Sequence, residues 1–365
     1  MPSTPYSDGA LPNLDYLRAT AVLLVCLDHF LLAIPGFDKV LRVPPPFVGE
    51  AGVMIFFTHT SLVLMQSMER MALRGSALWI SFMIRRGFRI YPLSIATILL
   101  VTVLQIPPFV GPNQWEWVGV KALVANLALI QNVVHAPNVV APLWSLPYEV
   151  QMYMVLPTIF LAIAAHRTRR ALLILTLSIA FLLPLFLLRD KQYLTWLVGL
   201  SSLQFVPCFL SGILAYKSLK EKTPRLSSHL WWIFVPAAVA AYALIRTWLR
   251  SHSNGYSSWM SGFTAEMICA WMLCLLIGAA LPYFRQSNSV PVNRGSQVIA
   301  QYSYGAYMGH VPIMWFSFER LSNQPGVIQA AVFVVLMIAV PVIAYHLLEA
   351  PLIRLGKHLS RVSQP

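Results

Sequence analysis

A histidine, a carboxylate and three arginines sit in or beside long apolar runs of this sequence. Ionisable groups are costly there and are candidates for function. Arg18 and His29 fall in the run from Leu14 to Ile34. On a helix, eleven residues at 100° each bring them to nearly one face, about 16 Å apart along the axis. Imidazole is a base suited to neutral pH, and guanidinium grips phosphate through paired hydrogen bonds. Bland readings compete. Arg18 can snorkel to headgroups, and His29 can satisfy an interhelical hydrogen bond. Asp28 is rotated 100° from His29 and does not share its face.

Arg85, Arg86 and Arg89 precede an apolar run at 90–106, and Arg86 and Arg89 share a helix face. They read as topological anchors or as a clamp for the phosphates of a coenzyme A thioester. Glu149 follows Pro147, which suits a first helical turn. The carboxylate then lies near the positive end of the helix dipole, as a cap or as an acid–base group. Ser145, Glu149 and Tyr153 are spaced by four and form a polar stripe. His310, near Ser303, Tyr304 and Tyr307, is either a histidine packed between helices or part of a pocket. Glu349 at the end of the last run reads as structural. The sequence contains no HExxH, GxxxxGK[ST] or GxSxG motif. The four cysteines show no CxxC spacing, so no metal site is expected.

These residues must be positioned by membrane helices. Of 365 residues, 58% are apolar and only 11% are charged, with a mean hydropathy of +0.66. Soluble domains carry about 25% charged residues, which excludes an ordinary soluble enzyme, and disorder needs the opposite composition. Ten long apolar runs occur, near 14–34, 48–68, 90–106, 146–165, 171–188, 194–216, 230–249, 264–284, 298–318 and 328–350. An eleventh segment, 119–134, is shorter and contains Lys121, Asn126, Gln131 and Asn132. Leaving it out as a re-entrant or interfacial helix places most of the 26 Lys and Arg residues on the cytoplasmic side, with both termini there. The net charge of +13 thus reads as topology, not as a nucleic-acid footprint. The expectation is an all-α polytopic membrane protein of about ten transmembrane helices. It forms one domain over 1–365, with its core at 14–351 and no separate soluble domain.

The pattern resembles the acyltransferase-3 family of integral-membrane O-acyltransferases. Leu14-Asp15-Tyr16-Leu17-Arg18-Ala19 followed by His29 resembles the family's first span. Gly52-Val53-Met54-Ile55-Phe56-Phe57, Arg86-Gly87-Phe88-Arg89-Ile90-Tyr91-Pro92 and Trp144-Ser145-Leu146 with Glu149 and Tyr153 follow in the family's order. Ser303-Tyr304-Gly305-Ala306-Tyr307 with His310, then Glu349-Ala350-Pro351, complete six elements. The chain departs where the family has a Ser-Gly pair: Thr60-Ser61 stands there, preceded by His59. The resemblance implies acyl transfer from cytoplasmic acyl-CoA, by default acetyl-CoA as co-substrate with no permanently bound cofactor. The implied acceptor is a hydroxyl of an envelope glycan or lipid-linked sugar, at a bacterial inner membrane. It implies His29 as general base, Glu149 as orienter or second acid–base group, and Arg18, Arg86 and Arg89 as donor-binding groups. Trp144, Ser145, Tyr153, Tyr307 and His310 are then candidates for an acceptor pocket. An open passage from the Arg86 side to His29 is expected, through which the pantetheine arm could thread. A transporter or exporter is the competing reading, but the paired helix interruptions of inverted repeats are not visible in the sequence. A non-catalytic scaffold would leave His29 dispensable.

Overall fold

The computed structural model describes residues 11–33, 47–109, 115–163, 168–190, 203–251 and 262–362. The described residues are helical apart from connecting segments and one isolated bridge between Leu226 and Phe284. Twelve α-helices are described: α1 (Pro12–Ala33), α2 (Val48–Met71), α3 (Gly75–Val103), α4 (Gly119–Leu127), α5 (Leu146–Ile163), α6 (Thr168–Asp190), α7 (Val206–Glu221), α8 (Ser228–Ser251), α9 (Gly262–Ala280), α10 (Val290–Met314), α11 (Gly326–Ala344) and α12 (Ala350–Val362). Each expected apolar run coincides with a helix, but residues 194–202 of the sixth run lie outside the described residues.

Eight of the described helical stretches are long and apolar enough to cross a membrane, which makes this an integral membrane protein. Two of the ten expected runs fall short for different reasons. Only 16 residues of α7 form the described helix. The helix α10 is long enough but carries Asn293, Arg294, Gln297, Gln301 and His310. Both pack among other helices: α7 lies between α2, α9 and α6, while α10 lies between α1 and α11. In α10 Asn293 and His310 are buried among these helices, whereas Arg294, Gln297 and Gln301 are exposed.

The third expected span differs in extent. Its helix begins at Gly75, not near residue 90, and runs for 29 residues. Arg85, Arg86 and Arg89 are therefore inside the helix and not on its flank. The arginines interrupt the hydropathy signal without interrupting the helix.

The 119–134 segment does not span. Only Gly119–Leu127 is helical, nine residues or about 13 Å. Its polar residues fold the connection that follows. Asn126 donates to the carbonyls of Ala122 and Pro137 (both 2.8 Å) and accepts from the Val139 N–H (3.1 Å). Gln131 donates to the Leu143 carbonyl (3.0 Å), and Asn132 pairs with Gln151. Buried irregular backbone needs such partners.

Close helix approach builds the centre. A Cβ at Gly212 of α7 would overlap the Thr58 carbonyl oxygen of α2, and one at Gly52 would lie 2.5 Å from the Ala21 carbonyl oxygen of α1. Small residues let membrane helices approach this closely. Two π-helical turns, Trp315–Arg320 and Tyr345–Glu349, begin three and four residues after Pro312 and Pro341. A proline's missing N–H and bulky ring loosen the helical ladder at such places.

Gly212→Val is expected to destabilise the fold by about 1–3 kcal/mol through overpacking, seen as a lower apparent Tm in detergent. Gly295→Ala, where a Cβ would meet nothing within 4 Å, is expected to leave Tm unchanged or slightly raised.

Candidate active site

The helices α1 and α10 run in the same direction and touch at two levels. Near the start of α1, Arg18 Nε donates to Ser303 Oγ (2.7 Å), and Ser303 Oγ donates to the Ala300 carbonyl (2.8 Å). Eleven residues further along α1, the His29 ring meets the His310 ring edge-on, with centroids 4.8 Å apart. The sequence-derived spacing of Arg18 and His29 is thus matched by polar groups on a single partner helix.

Arg18 opens into a cavity of about 90 Å³, lined also by Arg86 and Arg89 of α3 and by Glu149 and Tyr153 of α5. Tyr153 donates its phenolic proton to Glu149 Oε1 (2.5 Å). Arg89 pairs with Glu349 at 3.4 Å, and the Glu349 side chain is almost fully buried. Glu349 stands at the end of the second π-helical turn. Its role is more specific than the structural one expected, because it holds one of the cavity's arginines. Arg86 Nε is buried with no hydrogen-bond partner, an arrangement that an incoming acceptor atom would complete. Three guanidinium groups thus face one cavity-lining carboxylate. The volume is well below the roughly 300 Å³ at which drug-sized pockets begin. It suits a slender chain better than a nucleotide. His59 and Thr60, from the segment that departs from the family pattern, also line it.

His29 lies elsewhere. It lines a second cavity of about 450 Å³, with Trp144, Gln204, Glu50, Arg246 and Glu266 among its walls. His29 Nδ1 is 3.0 Å from the Val25 carbonyl. A carbonyl only accepts, so Nδ1 carries a proton, and in the neutral ring Nε2 then holds the lone pair. That is the tautomer a general base needs. Asp28 does not pair with His29 here; it sits against the first turn of α2 at Gly49.

The expected site residues therefore divide. Arg18, Arg86, Arg89, Glu149, Ser145, Tyr153 and Tyr307 line the arginine cavity. His29 and Trp144 line the other. His310 is fully buried between them, its Nδ1 donating to the Tyr307 carbonyl at 2.7 Å. The two proposed acid–base groups, His29 and Glu149, do not face one space.

The cavities have no lining residue in common, and where an open passage is expected Phe57 of the first packs against Phe205 of the second, ring centroids 5.2 Å apart. Trp144 and Ser145, adjacent in the chain, face one each. Tyr307 ties this wall together. Its hydroxyl lies 2.9 Å from the Pro142 carbonyl and 2.7 Å from Ser145 Oγ. Tyrosine has one hydroxyl proton, which goes to the carbonyl, so Ser145 donates to Tyr307.

Glu50, Arg246 and Glu266 were not singled out by motif reasoning. Arg246 within the 230–249 run was the available signal, since a charge inside a span marks either a site or a pair.

The family model for an acyltransferase domain matches residues 11–346. The chain belongs to the acyltransferase-3 family. No curated protein and no solved structure matches it. As a member of that family it is a membrane acyltransferase, and the match covers every residue of both cavities.

Tyr307→Phe would leave the buried Pro142 carbonyl without its donor and Ser145 without its acceptor. An expected loss of about 1–3 kcal/mol would appear as a lower Tm than that of Tyr302→Phe, whose hydroxyl meets His346 at an exposed position.

Proposed function

We propose that this protein moves an acyl group, by default acetyl, from acyl-CoA on the cytoplasmic side to a hydroxyl of an envelope glycan or lipid-linked sugar. The observation that carries this reading is the pair of abutting cavities, one lined by arginines and one by a histidine with its Nε2 lone pair available. Guanidinium groups in the first suit the anionic donor. Its small volume admits the thiol end of the pantetheine arm and leaves the nucleotide outside. A bacterial inner membrane is the setting the reading calls for, with the termini in the cytoplasm.

In the reaction His29 Nε2 removes the acceptor hydroxyl proton as its oxygen attacks the thioester carbonyl. The tetrahedral adduct collapses with cleavage of the carbon–sulfur bond. The coenzyme A thiolate leaves, and the proton held on His29 returns to it, directly or through water. The product is an O-acyl ester and free coenzyme A. For the thioester to meet His29, the wall between the cavities, with its Ser145–Tyr307 contact and its Phe57–Phe205 packing, must part. Glu149, paired with Tyr153, acts on the donor side by holding Arg18 and Arg86 in place electrostatically.

Membranes containing the wild-type chain are expected to transfer radiolabel from acetyl-CoA to a glycan or lipid-sugar fraction. His29→Ala is expected to lower that transfer by at least about 10²-fold, the usual contribution of a positioned base. Arg86→Lys, which loses the planar fork, is expected to raise the KM for acetyl-CoA about tenfold with little change in kcat. Equal transfer by wild type and His29→Ala would remove His29 from the mechanism.

A further inference from the structure

The His29 cavity contains an ion-pair cluster that the transfer chemistry does not use. Arg246 of α8 bridges two carboxylates. Its Nη2 lies 2.8 Å from Glu50 Oε2 of α2, and its Nη1 lies 2.7 Å from Glu266 Oε1 of α9. The guanidinium also covers the Phe47 ring at 4.4 Å. The Arg246 side chain is only 4% exposed, whereas those of Glu50 and Glu266 are 27% and 41% exposed. The cluster is therefore rooted in the bundle by its cation and presents its carboxylates outward.

Each carboxylate offers about four lone-pair sites, and the Arg246 contacts occupy one oxygen of each. Acceptor capacity remains on both. The other walls are of two kinds. Trp144, which meets Phe205 at a ring separation of 5.8 Å, supplies an aromatic surface. Gln204, whose side-chain nitrogen donates to the Tyr148 hydroxyl at 2.7 Å, and Asn138 supply amides. An aromatic wall with carboxylates and amides suits a ring that has an apolar face and a rim of hydroxyl donors. The volume of about 450 Å³ lies in the usual range for small-molecule sites.

Charge narrows the class. Among the described lining residues, two carboxylates face one guanidinium. Carboxylates thus outnumber guanidinium groups among the described walls. A carboxylate or phosphate on the reacting ring would be repelled, and such repulsion is how a site rejects near-relatives of its ligand.

We infer that the His29 cavity is the acceptor site, and that it takes a hydroxyl-rich ring that is neutral or carries an amine, with Glu50 and Glu266 selecting against an anionic one. This rests on the acyl-transfer reading for the identity of the reacting hydroxyl, but the binding preference does not depend on transfer. The reacting hydroxyl sits at His29 Nε2, and neighbouring hydroxyls or the amine bond to the two carboxylates.

Equilibrium binding of radiolabelled octyl glucoside, octyl glucosaminide and octyl glucuronide to the protein in lipid nanodiscs tests this, with empty discs subtracted. The glucoside and the glucosaminide are expected to bind at least tenfold more tightly than the glucuronide. Glu266→Gln is expected to narrow that gap to threefold or less, while retention of radiolabelled coenzyme A, which reports the intact arginine cavity, stays unchanged. Glu50→Gln is expected to behave alike. The inference is overturned if the glucuronide binds as well as the others, or if none of the three binds. It is also overturned if the gap persists in both variants, or if either variant loses coenzyme A as well. Preferential binding without acyl transfer would leave the site standing and overturn the transfer reading. Transfer without the preference would do the reverse.

Discussion

Placing guanidinium groups inside a helix bundle is the constraint on which this structure depends. A charge taken out of water is tolerated only with partners. Three of these arginines accordingly recruit another part of the chain. Arg18 ties α1 to Ser303 of α10, Arg89 ties α3 to Glu349 beyond α11, and Arg246 ties α8 to α2 and α9. These contacts join residues far apart in sequence and enclose both cavities. Arg86, like Arg246, has a buried Nε with no hydrogen-bond partner. In the proposed reaction the donor supplies that partner to Arg86.

The same constraint explains why the two cavities are distinct. The connection before α5 enters the bundle as irregular backbone, and its polar groups must be satisfied within the protein. Asn126 and Gln131 do this within the segment, and Tyr307 does it against α10. The wall between the arginines and His29 consequently combines hydrogen bonds with aromatic packing, Phe57 of the first cavity meeting Phe205 of the second at 5.2 Å. The serine–tyrosine and tyrosine–carbonyl contacts in it can part and re-form at a modest cost per bond. That is what transfer between the two sides demands.

Much of this was legible in the sequence. The apolar runs gave the helices, and the balance of Lys and Arg across the membrane kept 119–134 from being read as a span. The order of motifs from Leu14 to Pro351 pointed to the family. Arg18 and His29 were placed on one face by spacing alone, and α10 meets that face at both levels. Three features were not legible. Arg86 and Arg89 obscured the first half of α3, because a hydropathy window cannot distinguish an inward-facing arginine from a flanking one. The association of Glu149 with the arginines, and not with His29, depends on how deeply the irregular connection enters the bundle. The Glu50–Arg246–Glu266 cluster unites three helices whose contact no local pattern encodes.

The central claim is that the donor is received on one side of the membrane and the acyl group is delivered from a cavity on the other. The most direct test compares sealed inverted and right-side-out membrane vesicles containing the protein, given membrane-impermeant radiolabelled acetyl-CoA from outside. The account predicts that label enters the glycan or lipid-sugar fraction in inverted vesicles, where the cytoplasmic face is exposed. It predicts none above background in right-side-out vesicles until they are permeabilised. Equal labelling in both orientations, or labelling confined to right-side-out vesicles, would contradict it.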